Sequence, residues 1–146
     1  MGCIFCSIVE GRAEASVVLD DGDYLAFMDI YPFRPGHVLV IPKRHAQFVG
    51  ELEPEEQARL FTTGARVAAA LRASPVPSGD VHFLINDGPI ANQTVPHVHL
   101  HVLPRRRGDL PRVLAALFKR PAVALLGQAP RAALDQQAAA IAGVLR

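Results

Sequence analysis

Short apolar runs bounded by turn residues recur through the first two thirds of the chain. Alternation of apolar and polar positions, together with β-branched residues, is typical of strands. Turns such as Asp20-Asp21-Gly22-Asp23 and Pro35-Gly36 separate the runs, and Pro42 ends one of them. The pattern predicts strands at residues 17–19, 24–28, 37–41, 80–86 and 95–104.

A helical periodicity separates the third and fourth of these strands. From Pro54 to Arg72 the apolar residues Leu60, Ala68 and Leu71 recur at helical spacing, and two glutamates lie in the first turn, where they suit the helix dipole. Pro130 is suited to begin a second helix over residues 131–144. This order of elements favours an α+β fold with an antiparallel five-stranded sheet, a long central helix and a C-terminal helix.

Composition places the chain among ordinary globular proteins. It has 146 residues, of which 50% are hydrophobic and 20% charged, and its net charge is +1. This excludes a disordered chain and gives no reason to expect a nucleic-acid partner. There is no signal peptide pattern and no apolar run of the roughly 20 residues that cross a membrane, so we expect a cytoplasmic protein without a membrane partner. After Asp109 the composition shifts to Ala, Leu, Pro and Arg, which predicts a domain over 1–109 and an extension over 110–146 packed on it.

Three histidines alternate with apolar residues near the end of the first region. A period of two puts His97, His99 and His101 on one face of a strand and aliphatic residues on the other. Three imidazoles on one face indicate a shared anion or metal ion. The alternative is an exposed polar face that happens to use histidine. For His82 we prefer a half-buried strand residue, and for the run at 105–107 a solvated charge cluster.

The only two cysteines, Cys3 and Cys6, form a Cys-x-x-Cys motif. This is half of a tetrahedral zinc site, and the missing ligands would have to be histidines. A redox motif is the alternative, but such motifs normally open a helix after a strand, and no strand precedes Cys3. Zinc is therefore favoured, and no organic cofactor is expected.

In these motifs the chain resembles the histidine-triad family over about residues 3–109. The matching segments are Cys3-Ile4-Phe5-Cys6, Leu25-Ala26-Phe27-Met28-Asp29-Ile30, Pro35-Gly36-His37-Val38-Leu39-Val40-Ile41-Pro42-Lys43, Asn86-Asp87-Gly88 and Gln93-Thr94-Val95-Pro96, followed by the three histidines. The resemblance implies a homodimer in which the sheets of two subunits join.

The resemblance also implies catalytic roles. A neutral imidazole is a competent nucleophile towards phosphorus near neutral pH. By analogy His99 attacks and forms a nucleotidyl-histidine, while His101 and His37 stabilise charge on the non-bridging oxygens. Gln93 and Thr94 match phosphate-contacting positions, although the residues alone are equally compatible with turn chemistry.

The nucleotide-binding positions implied by the family are Phe5, Phe27, Asp29, Ile30, Asn86, Thr94 and Val95. Asp29 would accept the ribose hydroxyls, and Phe27 and Ile30 would enclose a purine. Spacing alone favours a solvent-facing turn aspartate, and Asn86 also suits a strand-end turn. The chain departs from the family at Asn92, where glycine is usual; asparagine reaches positive φ more readily than most residues.

The resemblance completes the metal site with His45 and His97, giving a closed Cys2His2 zinc site with Cys3 and Cys6. The leading function is hydrolysis of purine nucleoside phosphoramidates or related nucleotides, with release of AMP or GMP. A dinucleoside polyphosphate hydrolase is the second interpretation. The third is a module that binds nucleotides without turnover.

Overall fold

The computed structural model describes residues 2–118 and 127–145. Its elements in chain order are α1 (Ile4–Val9), β1 (Val17–Asp20), β2 (Tyr24–Met28), β3 (Val38–Pro42), α2 (Pro54–Ala73), β4 (Asp80–Ile85), β5 (Leu100–Arg105), α3 (Leu110–Phe118) and α4 (Arg131–Ala142). The strands form one antiparallel sheet in the order β1-β2-β3-β5-β4. The predicted α+β fold with its long central and C-terminal helices is confirmed. Among the described helices, none has the length and apolar character to span a bilayer.

The two faces of the sheet bury two different apolar clusters. Alternate strand residues such as Val40 and Leu100 pack with Leu71 of α2, which lies across one face together with α4. The residues between them, including Phe27 and Leu39, pack on the other face against Phe5 of α1. Helix α2 lies close to the sheet at Gly64, where a Cβ atom would overlap the side chain of Leu100. Strands buried on both faces read as nearly continuous apolar runs, as β2 and β3 do.

The predicted strand at 95–104 is wrong in its first half, because β5 begins only at Leu100. Before it, Asn92 adopts the left-handed conformation at φ 64° and the amide of His97 donates to the carbonyl of Val95 at 2.8 Å, which folds the chain into a tight turn. Side chains continue to alternate between the two faces of the sheet through this turn. Val98 joins the cluster against α2, whereas His97 and His99 contact Phe5 on the opposite face.

The extension after residue 109 contains two helices in its described parts; residues 119–126 and 146 lie outside them. The composition did not predict α3. Helix α4 lies within the predicted range of 131–144 and contacts β1, β2 and α2. Three of its residues are in the main core: Leu134, Ala138 and Ile141.

The two edges of the sheet differ. Edge strand β1 has four residues, and its register with β2 shifts between Val17 and Leu19. Edge strand β4 pairs in regular register with β5 over six positions. Phe83 of β4 lies with its ring centroid 5.1 Å from that of Phe61 on α2, which is 53% exposed.

Candidate active site and metal centre

A cavity of about 690 Å³ lies on the face of the sheet that carries α1. Most of the residues predicted to be catalytic or nucleotide-binding line it: Phe5, Phe27, Asp29, Ile30, Gln93, Thr94, Val95, His99 and His101. His37 lies behind His101 and is fully buried. Asn86 is not among the lining residues.

His99 is held in one tautomer by the backbone. Its Nδ1 lies 2.7 Å from the carbonyl oxygen of His97, and because a carbonyl only accepts, Nδ1–H is the donor. In the neutral ring the lone pair is then on Nε2. The ring is 2% exposed and packs edge-on against Phe5, with centroids 5.3 Å apart. The nucleophilic nitrogen of a cavity-lining imidazole is therefore oriented by a fixed hydrogen bond.

His37 and His101 form a hydrogen-bond relay that starts from the backbone. The amide of Phe33 donates to Nδ1 of His37 at 3.2 Å, so the proton of a neutral His37 is on Nε2. This Nε2–H donates to Nδ1 of His101 at 2.9 Å. The neutral His101 ring then carries its own proton on Nε2. The relay thus makes His101, a cavity-lining residue, a donor through Nε2–H.

Asp29 lies next to this relay at the end of β2. Its Oδ1 accepts from the amide of Tyr31 at 2.9 Å, and its Oδ2 lies 3.7 Å from Nε2 of His37. Asp29, His37 and His101 are close enough to hold a metal ion. They do not suit one, because a His37 that accepts at Nδ1 and binds metal through Nε2 would have to lose both ring protons. The donor set fits a hydrogen-bond relay beside a buried carboxylate.

Hydrogen bonds from its own side chains to backbone groups stabilise the loop that precedes the three histidines. The side chain of Gln93 accepts from the amide of Gly88 and donates to the carbonyl of Gln47, each at 2.8 Å. Asn86 donates to the carbonyl of Asn92 at 3.3 Å, which supports the left-handed residue that replaces the family's glycine. Gln93 and Asn86 therefore help to position this loop, which lines the cavity with Pro89, Asn92, Gln93, Thr94 and Val95.

Several lining residues were not found from the sequence. Ile4 and Ile8 of α1 and Leu39 of β3 extend the apolar wall formed by Phe5 and Phe27. Others come from distant parts of the chain: Glu14, Ala15, Tyr31, Phe33 and Arg131. The apolar spacing within α1 could have indicated Ile4 and Ile8. The residues from distant parts of the chain could not be found in this way, because their position at the cavity depends on the tertiary fold.

The four predicted metal ligands come together at the start of α1. Their ligand atoms lie within 4.8 Å of one another. Nδ1 of His97 is 3.5 Å from Sγ of Cys3 and 3.7 Å from Sγ of Cys6, and Nδ1 of His45 is 3.3 Å from Sγ of Cys6. Tetrahedral zinc with bonds of about 2.3 Å to sulfur and about 2.0–2.1 Å to nitrogen separates sulfur and nitrogen ligands by about 3.6 Å. The geometry fits a four-coordinate metal ion.

The protonation states of these groups also suit a metal. Nε2–H of His97 donates to the carbonyl of Pro42 at 2.8 Å, which leaves the Nδ1 lone pair facing the cysteines. Burial lowers the pKa of His97, so the ring is neutral as a ligand must be.

The redox interpretation of the Cys-x-x-Cys motif is poorly supported. The motif does open a helix, with Cys3 at the N-cap, but no strand precedes it among the described residues. Burial raises the pKa of the Cys6 thiol.

Comparisons with known proteins agree with this arrangement. Residues 10–108 match the model of the HIT domain. An uncharacterised HIT-like protein of Mycobacterium tuberculosis is 46% identical over 142 residues, which cover 96% of this chain and 98% of that protein. An adenosine 5'-monophosphoramidase of Schizosaccharomyces pombe is 39% identical over 105 residues, 72% of this chain and 75% of that enzyme. The crystal structure of a Zn-bound histidine triad family protein from Mycobacterium smegmatis superposes with a TM-score of 0.81 at 35% identity, covering 99% of this chain and 93% of that one.

Proposed function

Because the chain belongs to the HIT domain family, we propose that it hydrolyses purine nucleoside phosphoramidates or related nucleotides at the α-phosphorus. The product is AMP or GMP, and the intermediate is a nucleotide bonded to His99. The observation that carries this proposal is the hydrogen bond from Nδ1 of His99 to the carbonyl of His97, which leaves the basic Nε2 on a cavity-lining ring.

In the first step Nε2 of His99 attacks phosphorus. A P–N bond to the histidine forms, the bond from phosphorus to the leaving amine breaks, and the amine departs after taking a proton from water. The ring of the intermediate is cationic because Nδ1 keeps its proton, and the carbonyl of His97 stabilises that charge. In the second step water attacks phosphorus and the P–N bond to His99 breaks. The proton that this water loses neutralises the hydroxide left when the amine was protonated, and the neutral ring returns.

The relay supports both steps. Negative charge develops on the non-bridging oxygens of the phosphoryl group as each nucleophile approaches. His101 lines the cavity beside His99, with ring centroids 4.9 Å apart, and the hydrogen bond from His37 leaves it a donor at Nε2. A donor fixed before the reaction costs no reorganisation, which is why we assign charge stabilisation to this pair.

The nucleoside is assigned to the wall beyond these histidines. Phe5, Phe27 and Ile30 offer apolar surface to a purine, and the carboxylate of Asp29, whose Oδ1 also accepts from the amide of Tyr31, accepts the ribose hydroxyls. The name of the fission-yeast relative, an adenosine 5'-monophosphoramidase, supports this substrate class.

Two structural features accompany the proposed activity. Cys3, Cys6, His45 and His97 would hold a zinc ion in a closed site, which the Zn-bound mycobacterial structure supports. Such an ion has a structural role, because no coordination position is open to substrate.

We also propose a homodimer that pairs through β4, the regular edge of the sheet, with the exposed Phe61 beside it.

A substrate panel tests the proposal. Wild-type protein, the His99→Asn variant and a His82→Asn control are each incubated with adenosine and guanosine 5'-monophosphoramidates and with dinucleoside polyphosphates. We expect phosphoramidate turnover by wild type and the control, loss of turnover with His99→Asn, and a nucleotide on His99 detected by mass spectrometry after rapid quenching. Unchanged turnover by His99→Asn would refute the catalytic assignment. Faster cleavage of dinucleoside polyphosphates would shift the substrate class to the second interpretation, and tight binding without turnover would establish a binding module.

A further inference from the structure

The first residue of α4, Arg131, lines the cavity although it lies outside the matched HIT domain. Its guanidinium donates from Nη1 to Oγ of Ser16 at 3.0 Å. The Ser16 hydroxyl in turn donates to Oδ1 of Asp135, one turn further along α4, at 2.6 Å. The half-buried arginine is therefore held in a fixed orientation by a chain of hydrogen bonds.

The segment carrying Arg131 is attached to the cavity wall at two further points. The amide of Ala129 donates to the carbonyl of Ile30 at 2.9 Å. Further along α4, Gln137 accepts from the amide of Gly36 at 2.8 Å. Gly36 has φ 91° and precedes His37, and a side chain there would collide with Val76. These bonds fix the position of Arg131 relative to the wall that contains Asp29 and Ile30.

The arginine lines the cavity, and the segment just before it is bonded to Ile30, which lines the same cavity. The amide of Met28 donates to the carbonyl of Ser16 at 3.0 Å, so the residues that precede Ser16 run beside those that follow Met28. Glu14, two residues before Ser16, lines the cavity as Arg131 does. When Asp29 holds the ribose, the base shares with these two charged side chains the cavity that all three residues line.

The two side chains offer complementary hydrogen-bonding groups. A guanidinium only donates and an ionised carboxylate only accepts. Guanine presents acceptors at O6 and N7 and a donor at the 2-amino group, whereas adenine carries an amino donor in place of O6. Arginine pairs with both guanine acceptors, and glutamate accepts from the amino edge. Adenine would bring its amino group against a group that can only donate.

We propose that Arg131, with Glu14, reads the base and gives this site a preference for guanine over adenine nucleotides. The inference rests on the proposed function for the identity of the ligand, but not on turnover. It makes the C-terminal helix a part of the nucleotide site and assigns specificity to a residue outside the HIT domain.

The test measures kcat/KM for guanosine and adenosine 5'-monophosphoramidates with wild type, Arg131→Met, Glu14→Gln and an Arg72→Met control. Arg72 is an exposed arginine near the end of α2. We expect wild type to prefer the guanosine substrate roughly tenfold, as bidentate arginine contacts do. Arg131→Met should lower kcat/KM for guanosine roughly tenfold more than for adenosine. Glu14→Gln should move the ratio in the same direction, and the control should leave it unchanged.

Two further measurements distinguish a change in base specificity from a loss of folding or of turnover. Thermal unfolding shows whether α4 remains attached in Arg131→Met, and Glu14→Gln, at an exposed position, tests the same site without altering α4. Calorimetric titration with GMP and AMP measures the preference without catalysis. Equal affinity of wild type for the two, or an unchanged ratio in Arg131→Met, overturns the inference. Preferential GMP binding with no turnover would instead refute the proposed hydrolysis while the inference stands.

Discussion

The carbonyl of His97 accepts a hydrogen bond from Nδ1 of His99 at 2.7 Å, while the His97 ring faces the two cysteines. One residue thus belongs to the proposed metal site through its side chain and orients the proposed nucleophile through its backbone. The Nε2–H of His97 is also bonded to the carbonyl of Pro42 at the end of β3. We therefore expect order at the proposed metal site to be coupled to the orientation of His99.

Loss of one metal ligand should release the ion. His45 is exposed, so His45→Asn removes a ligand without opening the core. We expect metal analysis of the untagged protein to fall from about one zinc per chain to a small fraction, with a lower Tm, because metal binding contributes directly to folding. His82→Asn serves as the histidine control. Equal zinc in both variants would contradict the assigned ligands.

Removal of the proposed donor to phosphate should slow the reaction. We expect His101→Ala to lower kcat by about 100-fold or more, as loss of an oxyanion-stabilising donor does. His101→Gln, which keeps an amide donor, should retain more activity than His101→Ala. Steady-state kinetics with the preferred phosphoramidate provides the comparison. Equal loss in both variants would argue against a donor role.

Asp29 should recognise the ribose. Asp29→Asn replaces the accepting oxygen pair with a neutral amide, so KM for the ribonucleotide should rise roughly tenfold. The 2'-deoxy substrate, which offers one hydroxyl fewer, should be affected less. Kinetics with the matched ribo and deoxy substrates measures the difference. If the variant weakens both substrates equally, the carboxylate does not read the sugar.

A charge at the exposed Phe61 should separate the subunits of the proposed dimer. Phe61→Glu places a carboxylate beside Phe83 and β4, where burial in an interface would be costly. We expect light scattering to give a dimer for wild type and a monomer for this variant. Leu114→Glu on α3, at a position that is also exposed, is the control. A dimeric Phe61→Glu would place the interface elsewhere.

Acid should weaken the attachment of the start of α3. The Arg105 guanidinium holds the pKa of Asp109 at about 2, below the ordinary value of 3.8. A lowered pKa stabilises the fold above about pH 4, and this contribution is lost as the pH falls towards 2. Asp109→Asn should therefore lower the free energy of unfolding at pH 7, and the difference from wild type should close between pH 4 and 2.

Urea unfolding at several pH values measures this difference. Glu55→Gln, at an exposed position in the first turn of α2, is the carboxylate control. A difference for Asp109→Asn that does not change with pH would show that the ion pair is not its cause.

The sequence predicted the strands and the long helix because each is an uninterrupted pattern with clear turn residues at its ends. It did not predict α1, a six-residue helix without a side-chain cap. It extended β5 too far because the alternation around His97 continues through a turn whose backbone bonds cannot be read from residue types.

The site was predictable where its residues are neighbours in the chain. His97, His99 and His101 share one motif, and the structure keeps them on one face. Arg131 was missed because it reaches the cavity only after α4 folds back over β1 and β2. The side-chain hydrogen bonds of Asn86 and Gln93 to backbone groups could not be predicted from the sequence, because they depend on tertiary geometry; their expected phosphate contacts stay predictions.

The unlike edges of the sheet have a consequence for assembly. The bulged, four-residue β1 lies in contact with α4 and gives an incoming strand little regular backbone to pair with. In the proposed dimer both chains pair through β4. The dimer then has no unpaired β4 edge that could bind a further chain. We therefore expect assembly to stop at the proposed twofold dimer, because the irregular β1 edge gives little backbone for extending the sheet into a filament.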